Sequence, residues 1–310
     1  AGVLASGMAE SDEISLLLDI GTNGEVVLGN RDFLVACSAS AGPAFEGASI
    51  SCGMRATSGA IDSVRIFRQG TTISATTIDD QPPVGLCGSG LIEALSEMLL
   101  AGVVDRSGRF QPQQAPHRFR ESEENGQLEF VLVSAKESGG RRDVVLSQAD
   151  VENLIRTKAA IYAAVDSLIK SLGLSLADIK NVYIAGAFGN RLDLSSCITI
   201  GLLPDVPVGI IQFIGNSSAA GAKAVMLSRG MFQEARSLRD RITYQELMVD
   251  TQYLDKFTSA CFLPHTDMSL FPSVAGRLEQ RSGHPAETTE HQETTTKTAT
   301  SQRTQDSKSK

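Results

Sequence analysis

Tryptophan is absent from the 310-residue sequence, and aromatic residues make up only 5% of it. A surface that stacks unpaired bases needs such rings, so the composition argues against a single-strand nucleic-acid platform. Positive charge is also scarce: 28 Lys and Arg stand against 36 Asp and Glu, for a net charge of -8. A chain with a pI near 5.1 offers no basic face to a phosphate backbone, and no nucleic-acid partner is expected. The five cysteines, at positions 37, 52, 87, 197 and 261, are odd in number and widely spaced, which argues against a disulfide framework. None sits in C-x-x-C spacing, which argues against a zinc or iron–sulfur site within this span. They read as buried thiols of a reducing compartment, so a cytoplasmic location is expected. No apolar run reaches the roughly 20 residues a membrane helix needs. No basic segment leads into an apolar core at the N-terminus, so neither a signal peptide nor a membrane partner is expected.

What is present is a globular composition, 42% hydrophobic and 21% charged, on a chain long enough for a large core. Residues 12–275 read as the folded unit, with an insertion near 105–145 where the pattern turns polar and irregular. Residues 1–11 read as the remnant of a preceding region, and the whole span as the C-terminal piece of something longer. From Gly276 the composition collapses into Thr, Gln, Glu, Ser and Lys, so 276–310 read as a disordered tail.

Within the folded unit, "SLLLDI", "EVVLGN" and "DFLVACSA" predict three strands, the first two about a Gly-containing turn. "GSGLIEALSEMLLAGVV" predicts a helix, with Leu91, Leu95, Met98 and Leu99 at helical spacing and Ser89 as its N-cap. "SQADVENLIRTKAAIYAAVDSLIKSLG" predicts a long amphipathic helix, capped by Ser147 with Asp150 three residues on and stopped at Gly173. "NVYIAGAFGN" and "GIIQFIGNSS" predict two further strands, the second followed by a helix through "SAAGAKAVMLSRG". An initial hairpin implies antiparallel pairing, and late alternation of strand and helix implies parallel pairing. The expected fold class is α/β, a mixed sheet flanked by helices on both faces.

Three predicted strands end in turns of small residues: Asp19-Ile20-Gly21-Thr22-Asn23-Gly24, Ala185-Gly186-Ala187-Phe188-Gly189-Asn190, and Gly215-Asn216-Ser217-Ser218. Such turns gather at one edge of an α/β sheet, where ligands bind. Glycine lets backbone amides approach phosphate oxygens. Thr22 and Asn23 can donate to a phosphate, and Asp19 can hold Mg²⁺ through water. Each turn alone has a plainer reading: Asn23-Gly24 suits the tip of a type I′ hairpin, and the Gly186 turn suits a tight passage from strand to helix.

The order of these turns resembles the second half of the actin, sugar-kinase and heat-shock-chaperone ATPase superfamily (ASKHA). There a DxGT hairpin is the second phosphate loop and a late glycine turn is the adenosine loop. A closer resemblance rests on "LLLDIGTNGEVVLGN", "CSASAGPAFEGASISCGMRATSGAI", "GLCGSGLIEAL", "YIAGAFGNRLD", "IGNSSAAGA" and "FLPHTDMSLFPSV". Together these look like the C-terminal ATPase region of reductive activators of corrinoid proteins, over residues 12–274. The resemblance implies a ribonuclease-H-like, actin-type fold and the cofactors ATP and Mg²⁺. It implies ATP-coupled one-electron reduction of a Co(II) corrinoid, with a corrinoid protein or corrinoid-dependent methyltransferase as partner, and a homodimer. It also implies a [2Fe-2S] ferredoxin-like domain and a first phosphate loop, both N-terminal to this span.

The candidate nucleotide-binding set is then Gly21, Thr22, Asn23, Gly24, Gly42, Gly186, Ala187, Phe188, Gly189, Asn190, Gly215, Asn216 and Ser217. Asp19 is the metal candidate. For the acid that orients the attacking water, Asp19, Glu46 in "GPAFEG" and Glu25 are the candidates. Glu46 also reads as a plain loop acid that caps a turn. "CGSG" reads either as an anion site at a helix start or as a simple cap. Arg191 reads as an adenine-stacking cation or half of a surface ion pair. His265 and Asp267 in "FLPHTDMSLFP" read as part of a packed C-terminal clamp. Two rival functions stay open: a non-catalytic dimerisation and docking module, and a small-metabolite kinase.

Overall fold

The computed structural model describes residues 1–67, 70–123, 125–136, 138–139, 142–186 and 192–282. The chain opens with a short helix, α1 (Gly2–Ser6), then forms β1 (Ser15–Ile20), β2 (Gly24–Gly29) and β3 (Leu34–Ala39). These three pair antiparallel in sequence order. Both faces of β1 are buried: Leu16, Leu18 and Ile20 face the main core, and Leu17 faces a second cluster with Val3, Met8, Val27 and Leu238. A strand covered on both sides must be apolar at nearly every position, which is what "SLLLDI" supplies.

Between β3 and the long helix lie two small sheets. One is built by β4 (Ala60–Phe67), β5 (Thr72–Thr77) and β6 (Gly85–Leu86) and is packed on helix α2 (Gly88–Leu100). The other is built by β7 (Phe119–Glu121), β8 (Leu128–Val133) and β9 (Val144–Ser147). The β4–β5 hairpin has no counterpart in the sequence reading. The buried carboxylates of α2 fasten β4: Glu93 accepts from the Val64 amide over 3.0 Å and the Ser63 hydroxyl over 2.7 Å, and Glu97 accepts from the Ile66 amide over 2.9 Å. Buried charge tolerated in this way is fully hydrogen-bonded, as the low dielectric demands.

Helix α3 (Gln148–Ser171) lies across the sheet. Its capping box is complete: the Asp150 amide donates to the Ser147 hydroxyl over 3.1 Å, and the Ser147 amide donates to Asp150 over 2.9 Å. The chain leaves the helix through Gly173 at φ 67°, a left-handed conformation that suits glycine. Strand β10 (Asn181–Gly186) returns parallel to β1, and after helix α4 (Leu194–Ile200) strand β11 (Ile211–Gly215) pairs parallel with β10. Helices α5 (Ser217–Leu227) and α6 (Arg229–Arg241) lead to β12 (Ile242–Tyr244), parallel to β3, and then to α7 (Tyr253–Ala260) and α8 (Pro272–Ser282). The main sheet has the order β11-β10-β1-β2-β3-β12, mixed as expected and flanked by helices.

Two expectations need correction. The helix at "CGSG" is capped from Cys87, not Ser89. Ser89 is buried in the first turn, and Cys87 makes no side-chain cap. A Cβ at Gly90 would stand 2.2 Å from the Ile61 carbonyl oxygen, so the first turn presses directly on β4. Residues 276–282, assigned to the tail from composition, continue α8, anchored by the buried Phe271 and Val274 at its start. The remainder of the expected tail lies outside the described residues. No helix among the described residues is long and apolar enough to cross a membrane.

Candidate nucleotide site at the sheet edge

Five strand ends line up at one edge of the main sheet. Ile20 pairs with Gly186 on one side and Gly24 on the other; Gly24 pairs with Ala39, and Ala185 pairs with Gly215. The loops that begin at Gly21, Ser40 and Asn216 therefore all leave from the same edge. Glycine is required where strands or helices press close. Gly186 has φ 122°, and a Cβ there would stand 2.4 Å from the Ile20 carbonyl oxygen. At Gly24 a Cβ would stand 2.9 Å from Ile161 of α3. By contrast Gly42 at φ 81° and Gly215 at φ 65° have open space where a side chain would be.

Asp19 sits one residue before the end of β1, directly opposite Glu25 of β2. Like charges placed opposite one another destabilise a strand pair, so this placement needs compensation. Asp19 receives it from α5. The Ser217 and Ser218 hydroxyls donate to Asp19 Oδ2 over 3.4 and 3.2 Å, beside the positive end of that helix. Glu25 has a weaker partner, the Ser38 hydroxyl at 3.5 Å. Both carboxylates line a cavity of about 400 Å³ that Leu17, Val27, Leu238 and Arg239 also border.

Glu46 belongs to the turn instead. The Thr22 hydroxyl donates to Glu46 Oε1 over 2.9 Å, and the Gly42 amide donates to the Thr22 carbonyl over 2.9 Å. The hairpin turn and the loop after β3 are thus bound to each other twice. Of the two acids considered for orienting water besides Asp19, Glu46 stands at the turn, and Glu25 stands on the strand beside Asp19.

The remaining candidates divide. Asn216 accepts the Ala219 amide over 2.9 Å and caps α5, and Ser217 is fully buried against Asp19. Both serve the edge by shaping it. Ala187, Phe188, Gly189, Asn190 and Arg191 lie outside the described residues. Asp193 caps α4, accepting from the Ser196 amide over 3.0 Å. The C-terminal segment is a clamp: the buried Lys158 ammonium donates to the Phe262 and Pro264 carbonyls over 2.5 and 2.6 Å. His265 packs between Tyr162 and Phe271 there. Burial brings the Lys158 pKa down to about 7, and burial with the nearby Lys158 charge lowers His265. Burial pushes the Cys37 thiol up to about 12, so it is no nucleophile at neutral pH.

The edge fits a phosphate chain. The amides of Thr22 and Asn23, and those of Ser217 and Ser218, donate to no acceptor among the described residues, and orphan amides at a turn and a helix start suit anions. It also fits Mg²⁺, a hard ion that takes one or two carboxylates and fills its shell with water and phosphate oxygens. No group of three or more His, Cys, Asp or Glu that could hold a metal ion gathers among the described residues. Ser218 was not singled out in the sequence, although its hydroxyl is the nearer of the two to Asp19. The only signal for it was its place in "GNSS".

Comparison with known proteins agrees with the fold. The family described as the C-terminal domain of RACo, the ASKHA domain, matches residues 13–275. The corrinoid activation enzyme RamQ of Eubacterium limosum is 33% identical over 256 residues, covering 81% of this chain and 43% of that protein. The Co(II) methylated amine-specific corrinoid protein reductase of Methanosarcina barkeri is 29% identical over 259 residues, covering 77% of this chain and 44% of that protein. A solved structure titled reductive activator for corrinoid, iron-sulfur protein superposes with a TM-score of 0.84 at 50% identity, over 88% of this chain and 43% of that one. The chain spans less than half the length of these relatives.

Proposed function

This chain belongs to the family of RACo C-terminal ASKHA domains, and on that premise we propose that it is the ATP-binding and ATP-hydrolysing part of a reductive activator of corrinoid proteins. The protein that contains it would couple ATP hydrolysis to one-electron reduction of a Co(II) corrinoid to Co(I). The partner is a corrinoid protein or a corrinoid-dependent methyltransferase, and the active assembly is a homodimer. The single observation that carries the reading is the convergence of β1, β10 and β11 ends with Asp19, Thr22 and Glu46 at one sheet edge.

In this reading each residue has a task. The Thr22 and Asn23 amides bind phosphate oxygens. Asp19, held in place by the Ser217 and Ser218 hydroxyls, would be the residue that holds Mg²⁺. Mg²⁺ when bound supplies neutralisation of charge that builds on the phosphates. Glu46, tethered to the turn by Thr22, orients the water that attacks the terminal phosphorus and accepts its proton. Gly42 and Gly215 leave room for the ligand to reach the backbone. Hydrolysis drives reduction only if the nucleotide binds two conformations of the protein with different affinity.

The test is ATP-dependent reduction. The full-length gene product is mixed with a Co(II) corrinoid protein and a low-potential reductant, and Co(I) is followed by absorbance. The reading predicts Co(I) formation with MgATP and none with a non-hydrolysable analogue. Equal reduction with and without nucleotide would contradict it.

A further inference from the structure

Helix α3 runs beside the loop that follows β3, and three of its residues reach into that loop. Asp150, Asn153 and Thr157 are spaced i, i+3, i+7 and share one face. The Thr157 hydroxyl donates to the Ala41 carbonyl over 2.9 Å. The Asn153 amide donates to the Ser49 carbonyl over 3.1 Å. Asp150 Oδ1 accepts from the Ser51 amide over 2.8 Å and from its hydroxyl over 3.3 Å, while Oδ2 closes the capping box. Glu46 lies between these grips, with Ala41 on one side and Ser49 and Ser51 on the other.

The details point to fastening. A buried threonine inside a helix ordinarily donates to a carbonyl of its own preceding turn. Thr157 is 3% exposed and donates to a residue 116 positions earlier. Ser49 holds φ 63°, a strained conformation for a side-chain-bearing residue that persists only where surroundings fix it. The residue after Ala41 is Gly42, whose amide holds the Thr22 carbonyl, and Thr22 in turn holds Glu46. A shift at Ala41 therefore displaces the turn and the carboxylate together.

We propose that Asp150, Asn153 and Thr157 are positioning residues for ATP hydrolysis, clipping the 41–51 loop to α3 on both sides of Glu46 and so fixing that carboxylate against the Thr22 turn. This rests on the reading that Glu46 orients the attacking water. Thr157 is the most informative of the three, because its hydroxyl can be removed with almost no change in shape.

On the full-length gene product, steady-state MgATP hydrolysis and hydrogen exchange across residues 40–51 are measured for Thr157→Val, Thr157→Ser and Asn153→Ala. Thr157→Val is expected to lose about tenfold to a hundredfold in kcat, the scale of a misplaced reacting group. Its KM should stay within about twofold of the parent, because the lost interaction serves the transition state. Exchange in 40–51 should quicken. Thr157→Ser keeps the hydroxyl and should restore both properties. A parental kcat in Thr157→Val, or equal impairment in Thr157→Ser, overturns the proposal. Should Thr157→Val not fold, Asn153→Ala decides: a reduced kcat with faster exchange supports the clips, and parental values overturn them. Should the parent hydrolyse no ATP, the functional reading fails, and unchanged exchange in Thr157→Val then independently overturns the clips.

Discussion

Two alanine substitutions at neighbouring glycines of the sheet edge, one paired with Ile20 and one directly after it, should behave in opposite ways. At Gly186 a Cβ would stand 2.4 Å from the Ile20 carbonyl oxygen, and the backbone holds φ 122°. Real Cβ atoms do not approach backbone that closely, so β1 and β10 must part where the site is gathered. The left-handed backbone costs about 1–2 kcal/mol for a residue other than glycine. The overpacking adds about 1–3 kcal/mol. Gly186→Ala should therefore lose roughly 2–5 kcal/mol, or on the order of 10 °C in Tm for a domain of this size. At Gly21 the nearest atoms to a Cβ would be Asn23 O at 3.7 Å and Glu46 Oε1 at 3.8 Å, ordinary contact distances. Gly21→Ala should thus keep its Tm within about 2 °C, yet weaken MgATP binding about tenfold or more if the turn is the proposed phosphate site, because its methyl would then stand against the phosphate. Differential scanning calorimetry and titration calorimetry on both variants check this. A Gly21→Ala protein with parental stability and parental affinity would refute the assignment of the turn as the phosphate site. A Gly186→Ala protein of parental stability would refute the packing argument.

Glu46→Gln should keep MgATP affinity and lose about a hundredfold in kcat, in line with loss of a positioned base; steady-state kinetics beside equilibrium binding checks it. Lys158 gives a pH dependence. Its folded pKa, about 7, lies below the ordinary lysine value of 10.5, so the unfolded chain binds more protons between those limits and stability rises with pH from about 7 upward. Below pH 7 the penalty for burying the charge is fully present. Above about pH 9 the raised pKa of Cys37 acts in the opposite direction, so denaturant titrations between pH 7 and 8.5 isolate the lysine. Lys158→Met should flatten the slope in that window. Asp150→Ala removes the capping-box partner and the Ser51 grip together and should cost about 2–4 kcal/mol, read from urea midpoints at constant m-value.

Much of the fold was legible because its elements are declared locally. The capping box at Ser147, the glycine exit at Gly173 and the apolar runs of β1, β2, β10 and β11 each carry their own signal. The β4–β5 hairpin was not legible, because "TISATT" alternates between exposed and half-buried residues and its partner strand is fixed by Glu93 and Glu97 on α2 rather than by a turn motif. The N-cap of α2 was misread because Cys87 makes no side-chain cap hydrogen bond, whereas Ser89 is a residue type that commonly caps. At the site, the glycine turns and Asp19 stood out, since bare turns after apolar strands are a local pattern. The pairing of Thr22 with Glu46 spans 24 positions. That of Thr157 with Ala41 spans 116. Only the folded sheet edge brings them together, and neither pairing is visible along the chain.

The most direct measurement is a hydrogen-exchange footprint of the full-length gene product with and without MgATP. Slower exchange at residues 19–24, 40–47 and 215–220 is the predicted result. Saturating MgATP that leaves those three segments unchanged, or protects a different surface, would contradict the account.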